Sequence, residues 1–163
     1  NKAHELEEKA PSFPEAKWHF IGHLQSNKVQ SVVELCDLIH SVDSVKLLRR
    51  INDTARELDK VQKVLLEVNV SGEQTKFGFK EDEVPSVLDT LKQLPFGNIQ
   101  VMGFMTMAPL VQPEQTRPFF KKLFYLSQEL CLKELSMGMS NDFQVAVEEG
   151  ATIVRIGTKI FHT

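Results

Sequence analysis

The chain has 163 residues, 42% of them hydrophobic and 25% charged, with 19 basic and 22 acidic side chains and a net charge of −3. This balance fits a single globular domain. It excludes an acidic disordered tail and argues against a nucleic-acid binder relying on net positive charge. No apolar run approaches the roughly 18–20 residues of a membrane span, and the first residues hold no apolar signal core. Cys36 and Cys131 lie far apart without C-x-x-C spacing, so no disulfide framework or four-cysteine zinc site is available. That pattern points to a reducing compartment.

In chain order, a polar helix over His4–Ala10 stops at Pro11 and Pro14. Trp18–Gly22 reads as a strand, Gln25–Leu35 as a helix through Val29, Val32 and Val33, and Leu38–Val42 as a strand. Ser44–Leu58 is a helix and Lys63–Val70 a β-branched strand. Glu81–Leu94 is a helix, followed by the strand Ile99–Met107, which Pro109 ends. Glu114–Leu132 is a helix, Glu134–Met139 a strand, Asp142–Glu149 a short helix and Thr152–Phe161 a strand. Strict alternation of helix and strand demands a parallel sheet, because parallel strands need crossover connections.

Two parallel architectures compete for this pattern. A doubly wound sheet should carry a glycine-rich phosphate turn after an early strand, and neither G-x-G-x-x-G nor G-x-x-x-x-G-K-[ST] occurs. From Phe20 to Arg155 each unit takes about 27 residues, so eight would need roughly 216. The expectation is an α/β chain of the (β/α)₈ TIM-barrel class. Residues 1–163 form one domain with six of the eight units, incomplete at the N-terminus.

The C-terminal segment is the richest in chemistry. Leu135–Phe143 runs strand, serine–glycine loop and helix start, with Asn141 placed to cap the helix, Gln144 at its third position and Gly150 to close it. One strand later Arg155 interrupts an apolar run and Gly157-Thr158 follows. Barrels frequently bind phosphate in the loops after their last two strands, where free N–H groups face the ligand. Ser140, Gly157 and Thr158 are therefore the expected phosphate site; the alternative is that Ser140 only caps a helix and Gly157 only eases packing. Arg155 either points inward with a partner or outward from an edge strand. His19 and His23, four apart, lack a third ligand for zinc, and no metal site is expected. Gly138-Met139-Ser140 lacks the second glycine of a nucleophile elbow. Met102, Met105 and Met107 read as core, and Lys76 in the loop 71–78 as a solvated lysine.

Several segments together resemble the pyridoxal phosphate homeostasis protein family, built on the alanine racemase N-terminal barrel. They are Trp18–Lys28, Val42-Asp43-Ser44, Asn69–Gly78, Gly103–Thr106, Leu135–Asp142 and Val154–Phe161. The resemblance spans nearly the whole chain. It implies a vitamin B6-binding protein that holds pyridoxal 5′-phosphate (PLP), has no established catalytic activity, and buffers and delivers the cofactor in the cytosol. It implies Ser140, Gly157 and Thr158 at the phosphate, Arg155 at the pyridine nitrogen, and Met137 and Asn1 beside them. PLP-dependent apo-enzymes would be the partners, with no nucleic acid or membrane involved, and the complete protein would be a monomer.

Two departures qualify that expectation. The family's Schiff-base lysine ends the first barrel strand, and this sequence begins near the following Gly-Glu-Asn stretch, at Asn1, so the lysine is expected to be absent. The family also continues with glycine after Ile-Phe, where His162 and Thr163 stand here. An amino-acid racemase of the same fold is the enzyme alternative. Its second base is a tyrosine, and Tyr125, the single tyrosine, falls mid-helix. A truncated remnant that no longer binds PLP is the other.

Overall fold

The computed structural model describes residues 1–93 and 96–161. Leu94, the expected end of one helix, and His162 and Thr163 lie outside the described residues. Six strands run parallel in strict chain order: β1 (His19–Phe20), β2 (Leu38–Val42), β3 (Gln62–Glu67), β4 (Ile99–Met105), β5 (Glu134–Met139) and β6 (Ile153–Arg155). Between them pass α2 (Val29–Leu35), α3 (Val45–Glu57), α4 (Val84–Gln93), α5 (Pro113–Glu129) and α6 (Phe143–Glu148). A helix α1 (Ala3–Lys9) precedes the sheet and a single turn, α7 (Thr158–Phe161), follows it. Neighbour pairing in sequence order without reversal is barrel topology, here six strands of a curled partial barrel whose edges are β1 and β6.

Most expected boundaries stand within a residue or two. The last one does not. The strand expected over Thr152–Phe161 ends at Arg155, and Thr158–Phe161 is helical, the Gly157 carbonyl accepting from the N–H groups of Ile160 and Phe161. The expected capping box of Asn141 with Gln144 is likewise absent. Asp142 occupies the N-cap position of α6, its Oδ1 accepting from the Met139 N–H at 2.7 Å, while Asn141 Nδ2 donates to the Val111 carbonyl. Ser44, expected as the first residue of its helix, is the N-cap of α3, accepting at Oγ from the Leu47 N–H.

Two cores follow from the period of two along each strand. Ile39, Val64, Leu66, Phe104 and Leu135 point outward and merge with the inner faces of the helices, including Leu48, Ile51 and Phe120, all within 2% of complete burial. The alternate residues Leu38, Leu65 and Met105 point inward and pack with Met102 and Ile153. Two residues further along the strands, the inward positions turn polar: His40 after Leu38, Glu67 after Leu65, Arg155 after Ile153, with Ser136 beside them on β5. The barrel thus has an apolar floor and a polar layer above it, toward the C-terminal strand ends.

Gly103 is fixed by packing. A Cβ there would sit 1.9 Å from the Glu134 carbonyl oxygen of β5, a backbone atom that cannot give way without breaking the strand pair. Gly103→Ala should therefore cost about 2–3 kcal/mol, as overpacking a close contact does. A urea midpoint equal to that of the parent would refute this.

Candidate functional site

The site is assembled at the C-terminal ends of β5, β6 and β1. Gly138 begins it, with φ +89 and Phe143 Cα and Ala146 Cβ within 2.9 Å of where its own Cβ would stand. Only glycine fits both conditions, and the result is α6 pressed against the strand end with Ser140 lifted onto the turn. The Ser140 hydroxyl oxygen accepts from the N–H of Gly157 at 3.3 Å and of Lys159 at 3.4 Å. Ser140 thus takes N–H groups at the start of α7. Both bonds are long, so these N–H groups are only loosely taken.

A cavity of about 660 Å³ opens beside this turn, lined by Ser140, Gly157, Thr158 and Arg155 and also by Asn1 and His19. A Cβ at Gly157 would meet no atom within 4 Å, and its φ is ordinary, so neither packing nor backbone strain requires glycine there. The notion that Gly157 merely eases packing is overturned. Gly157 lines the cavity and donates its N–H to Ser140 Oγ at 3.3 Å. No carboxylate lines that cavity among the described residues. Backbone N–H groups, two hydroxyls and a guanidinium are a donor set for an oxyanion, and the residues fit a phosphorylated ligand.

Arg155 points inward, as the first of the two expected orientations had it. Nη1 donates to Ser136 Oγ at 2.7 Å and Nη2 to the Thr106 carbonyl at 2.9 Å. Burial lowers its pKa to about 10, opposed by Glu67 and Asp142, so it stays charged at neutral pH. Ser136 Oγ also lies 2.8 Å from His40 Nδ1, and His40 Nε2 lies 3.0 Å from His19 Nδ1. Burial, then the neighbouring His19 and Arg155, push His40 down to about 3. Burial, then Asp43, lift Glu67 to about 7 despite Arg155.

The structure gathers Ser140, Arg155, Gly157, Thr158 and Asn1 around one cavity. It does not bring Met137 there: that side chain is fully buried in the outward, helix-side core, because inward positions alternate and Ser136 takes the inward one. Met139 and Met107 line the cavity instead. Reading by residue type missed His40, Ser136 and Glu67. For His40 and Glu67 the signal was a polar residue at the inward register two positions beyond an apolar one, Leu38 and Leu65; Ser136 follows Glu134 and carried no such signal. His19 and His23 do not converge, since His23 meets Asp43 at 3.3 Å and stacks on Phe77. Lys76 is tied down rather than free, with Nζ on Glu73 at 2.8 Å and donating to the Met107 carbonyl at 3.4 Å. No lysine lines the cavity among the described residues, and Tyr125 is 66% exposed on α5.

Comparison with known proteins places this arrangement. The family profile described as "Alanine racemase, N-terminal domain" matches residues 1–163. A pyridoxal phosphate homeostasis protein of Aquifex aeolicus is 47% identical over 152 residues, covering 89% of this chain and 66% of that protein. One from Deinococcus radiodurans is 37% identical, covering 99% of this chain and 75% of its own length. PipY of Synechococcus elongatus, solved without PLP, superposes with a TM-score of 0.92 at 37% identity, over 99% of this chain and 79% of PipY. The same protein solved with PLP bound gives 0.86. The chain spans just under two thirds of the Aquifex relative's length.

Proposed function

Since the chain belongs to the alanine racemase N-terminal domain family, among its pyridoxal phosphate homeostasis proteins, we propose that it binds PLP in the cavity beside β6 and buffers the cofactor rather than catalysing with it. The observation that carries this reading is the loosely held pair of N–H groups at Gly157 and Lys159, facing Ser140 at the rim of a cavity without a carboxylate. Ser140, Gly157 and Thr158 would take the phosphate. Arg155 would face the pyridine ring, and Met107 and Met139 would supply apolar contact. PLP supplies an aldehyde and an electron-withdrawing ring when bound. A cationic donor at the ring nitrogen disfavours the protonated pyridine, which weakens electron withdrawal without abolishing it. What favours buffering over turnover is that Tyr125, the single tyrosine and the candidate second base, stands 66% exposed on α5 and does not line the cavity. Delivery would be to PLP-dependent apo-enzymes, with the complete protein a monomer. No helix among the described residues is long and apolar enough to cross a membrane.

The test is selective loss of phosphate recognition. Ser140→Ala should weaken PLP and pyridoxine phosphate alike by about 1–2 kcal/mol, the loss of one charge-assisted hydrogen bond. Unphosphorylated pyridoxal should bind the variant and the parent equally. Equal losses for phosphorylated and unphosphorylated ligands in calorimetric titrations would remove Ser140 from the phosphate site.

A further inference from the structure

The proton positions along the inner polar layer follow from a single fact: a guanidinium can only donate. Arg155 Nη1 stands 2.7 Å from Ser136 Oγ, so that oxygen accepts. The Ser136 hydroxyl proton then needs an acceptor of its own, and the residue is completely buried. Its other neighbour is His40 Nδ1 at 2.8 Å. The reverse assignment, with His40 donating from Nδ1, would leave the buried hydroxyl proton without a partner, which is costly. Nδ1 of His40 is therefore bare, and a neutral imidazole with bare Nδ1 carries its proton on Nε2. That proton points at His19 Nδ1, 3.0 Å away, which is bare in turn. His19 carries its own proton on Nε2 and lines the cavity. The chain runs in one direction, from Arg155 through Ser136 and His40 to His19, joining β6, β5, β2 and β1.

We propose that Ser136 and His40 are positioning residues for Arg155, a one-way hydrogen-bond chain that holds its guanidinium turned toward the cavity. The need for such a device is visible in the charges around it. Glu67 on β3 and Asp142 after β5 both attract Arg155, and Asp43 after β2 acts on Glu67. Without an acceptor at Ser136 the guanidinium would swing to those carboxylates. Its two anchored N–H groups, on Ser136 Oγ and the Thr106 carbonyl, leave the remaining three for a ligand. The effect on ligand affinity rests on the cavity being a PLP site; the chain itself does not.

The first measurement needs no ligand. Two-bond ¹H–¹⁵N correlation spectra of histidine-labelled protein at pH 7.5 should show His40 and His19 both protonated on Nε2, and a His40 proton on Nδ1 would overturn the proposal. The second compares His40→Phe, which removes the acceptor for Ser136, with His40→Gln, which keeps one. Arg155 side-chain N–H exchange should quicken at least tenfold in His40→Phe and stay within threefold of the parent in His40→Gln. PLP affinity should fall about tenfold in His40→Phe alone. Parent-like exchange in a folded His40→Phe protein would sink the idea. Should His40→Phe fail to fold by circular dichroism, the tautomer spectra and the same exchange measurement on Ser136→Ala decide. Should the parent not bind PLP at all, the functional reading fails, and tautomer and exchange still judge the chain.

Discussion

Acidification from pH 7 to about pH 3 should remove roughly 4 kcal/mol of folding stability through His40 alone, at about 1.36 kcal/mol for each pKa unit. The ring is 1% exposed, and burial holds its pKa at about 3 in the folded chain against an ordinary 6.5. Between those values the unfolded state binds a proton that the folded state refuses, so stability rises with pH across the window. The contribution is whole above pH 6.5 and is lost as pH falls toward 3. The physical source is burial, with the neighbouring His19 and Arg155 adding to it, and a proton added to His40 would face the Ser136 hydroxyl or His19, neither of which compensates a buried charge. Other groups titrate in the same range, so the measurement is a difference. Urea midpoints of the parent and His40→Gln, taken at pH 7, 5 and 3.5, should diverge in the parent's disfavour as pH falls. Parallel curves would show that His40 does not carry the effect.

The fold was legible because its signals are long-range and periodic. Alternation of strand and helix gave the parallel sheet, and the spacing of the units gave a barrel rather than an open sheet. Ser140, Arg155, Gly157 and Thr158 were legible because small residues and an arginine interrupt apolar strands near their ends. His40 and Glu67 were not, since each looks ordinary within its own segment. Only the fold brings His40 within 2.8 Å of Ser136 and sets Glu67 close enough to act on Arg155. Met137 failed for the complementary reason. Proximity in sequence to Ser140 said nothing of direction, and a single residue of offset turns a strand side chain to the opposite face. The misplaced end of the last strand has another cause. Ile156, Ile160 and Phe161 have strand-like side chains, but Ile160 and Phe161 stand 63% and 79% exposed on a helical turn that the Gly157 carbonyl and the Ser140 hydroxyl hold. Backbone hydrogen bonding outweighed intrinsic preference there.

Glu67→Gln should stabilise the protein by about 3 kcal/mol at pH 8 and leave it unchanged at pH 4, from a shift of about two and a half pKa units. Glu67 ends β3 with its side chain in the inner layer, 4% exposed, and no hydrogen bond to its carboxyl is formed among the described residues. Burial is the main reason its pKa stands at about 7 rather than 4.5, and Asp43 adds to it while Arg155 opposes. Here the folded state holds a proton that the unfolded state has already released, so stability falls as pH rises from about 4.5 to about 7 and the deficit is constant above that. This is opposite in sign to His40; the two windows overlap between about pH 4.5 and 6.5, where the opposed slopes offset and their combined contribution is greatest. Glutamine reproduces the neutral carboxyl in size and shape, which is why no gain is expected at pH 4. The same substitution removes a negative charge that draws on Arg155, so Arg155 should keep its hold on Ser136 and Thr106 more firmly at high pH. Thermal or urea unfolding of both proteins at pH 4, 6 and 8 checks the sign directly. A stabilisation of similar size at all three values would mean that packing, not the buried charge, had changed.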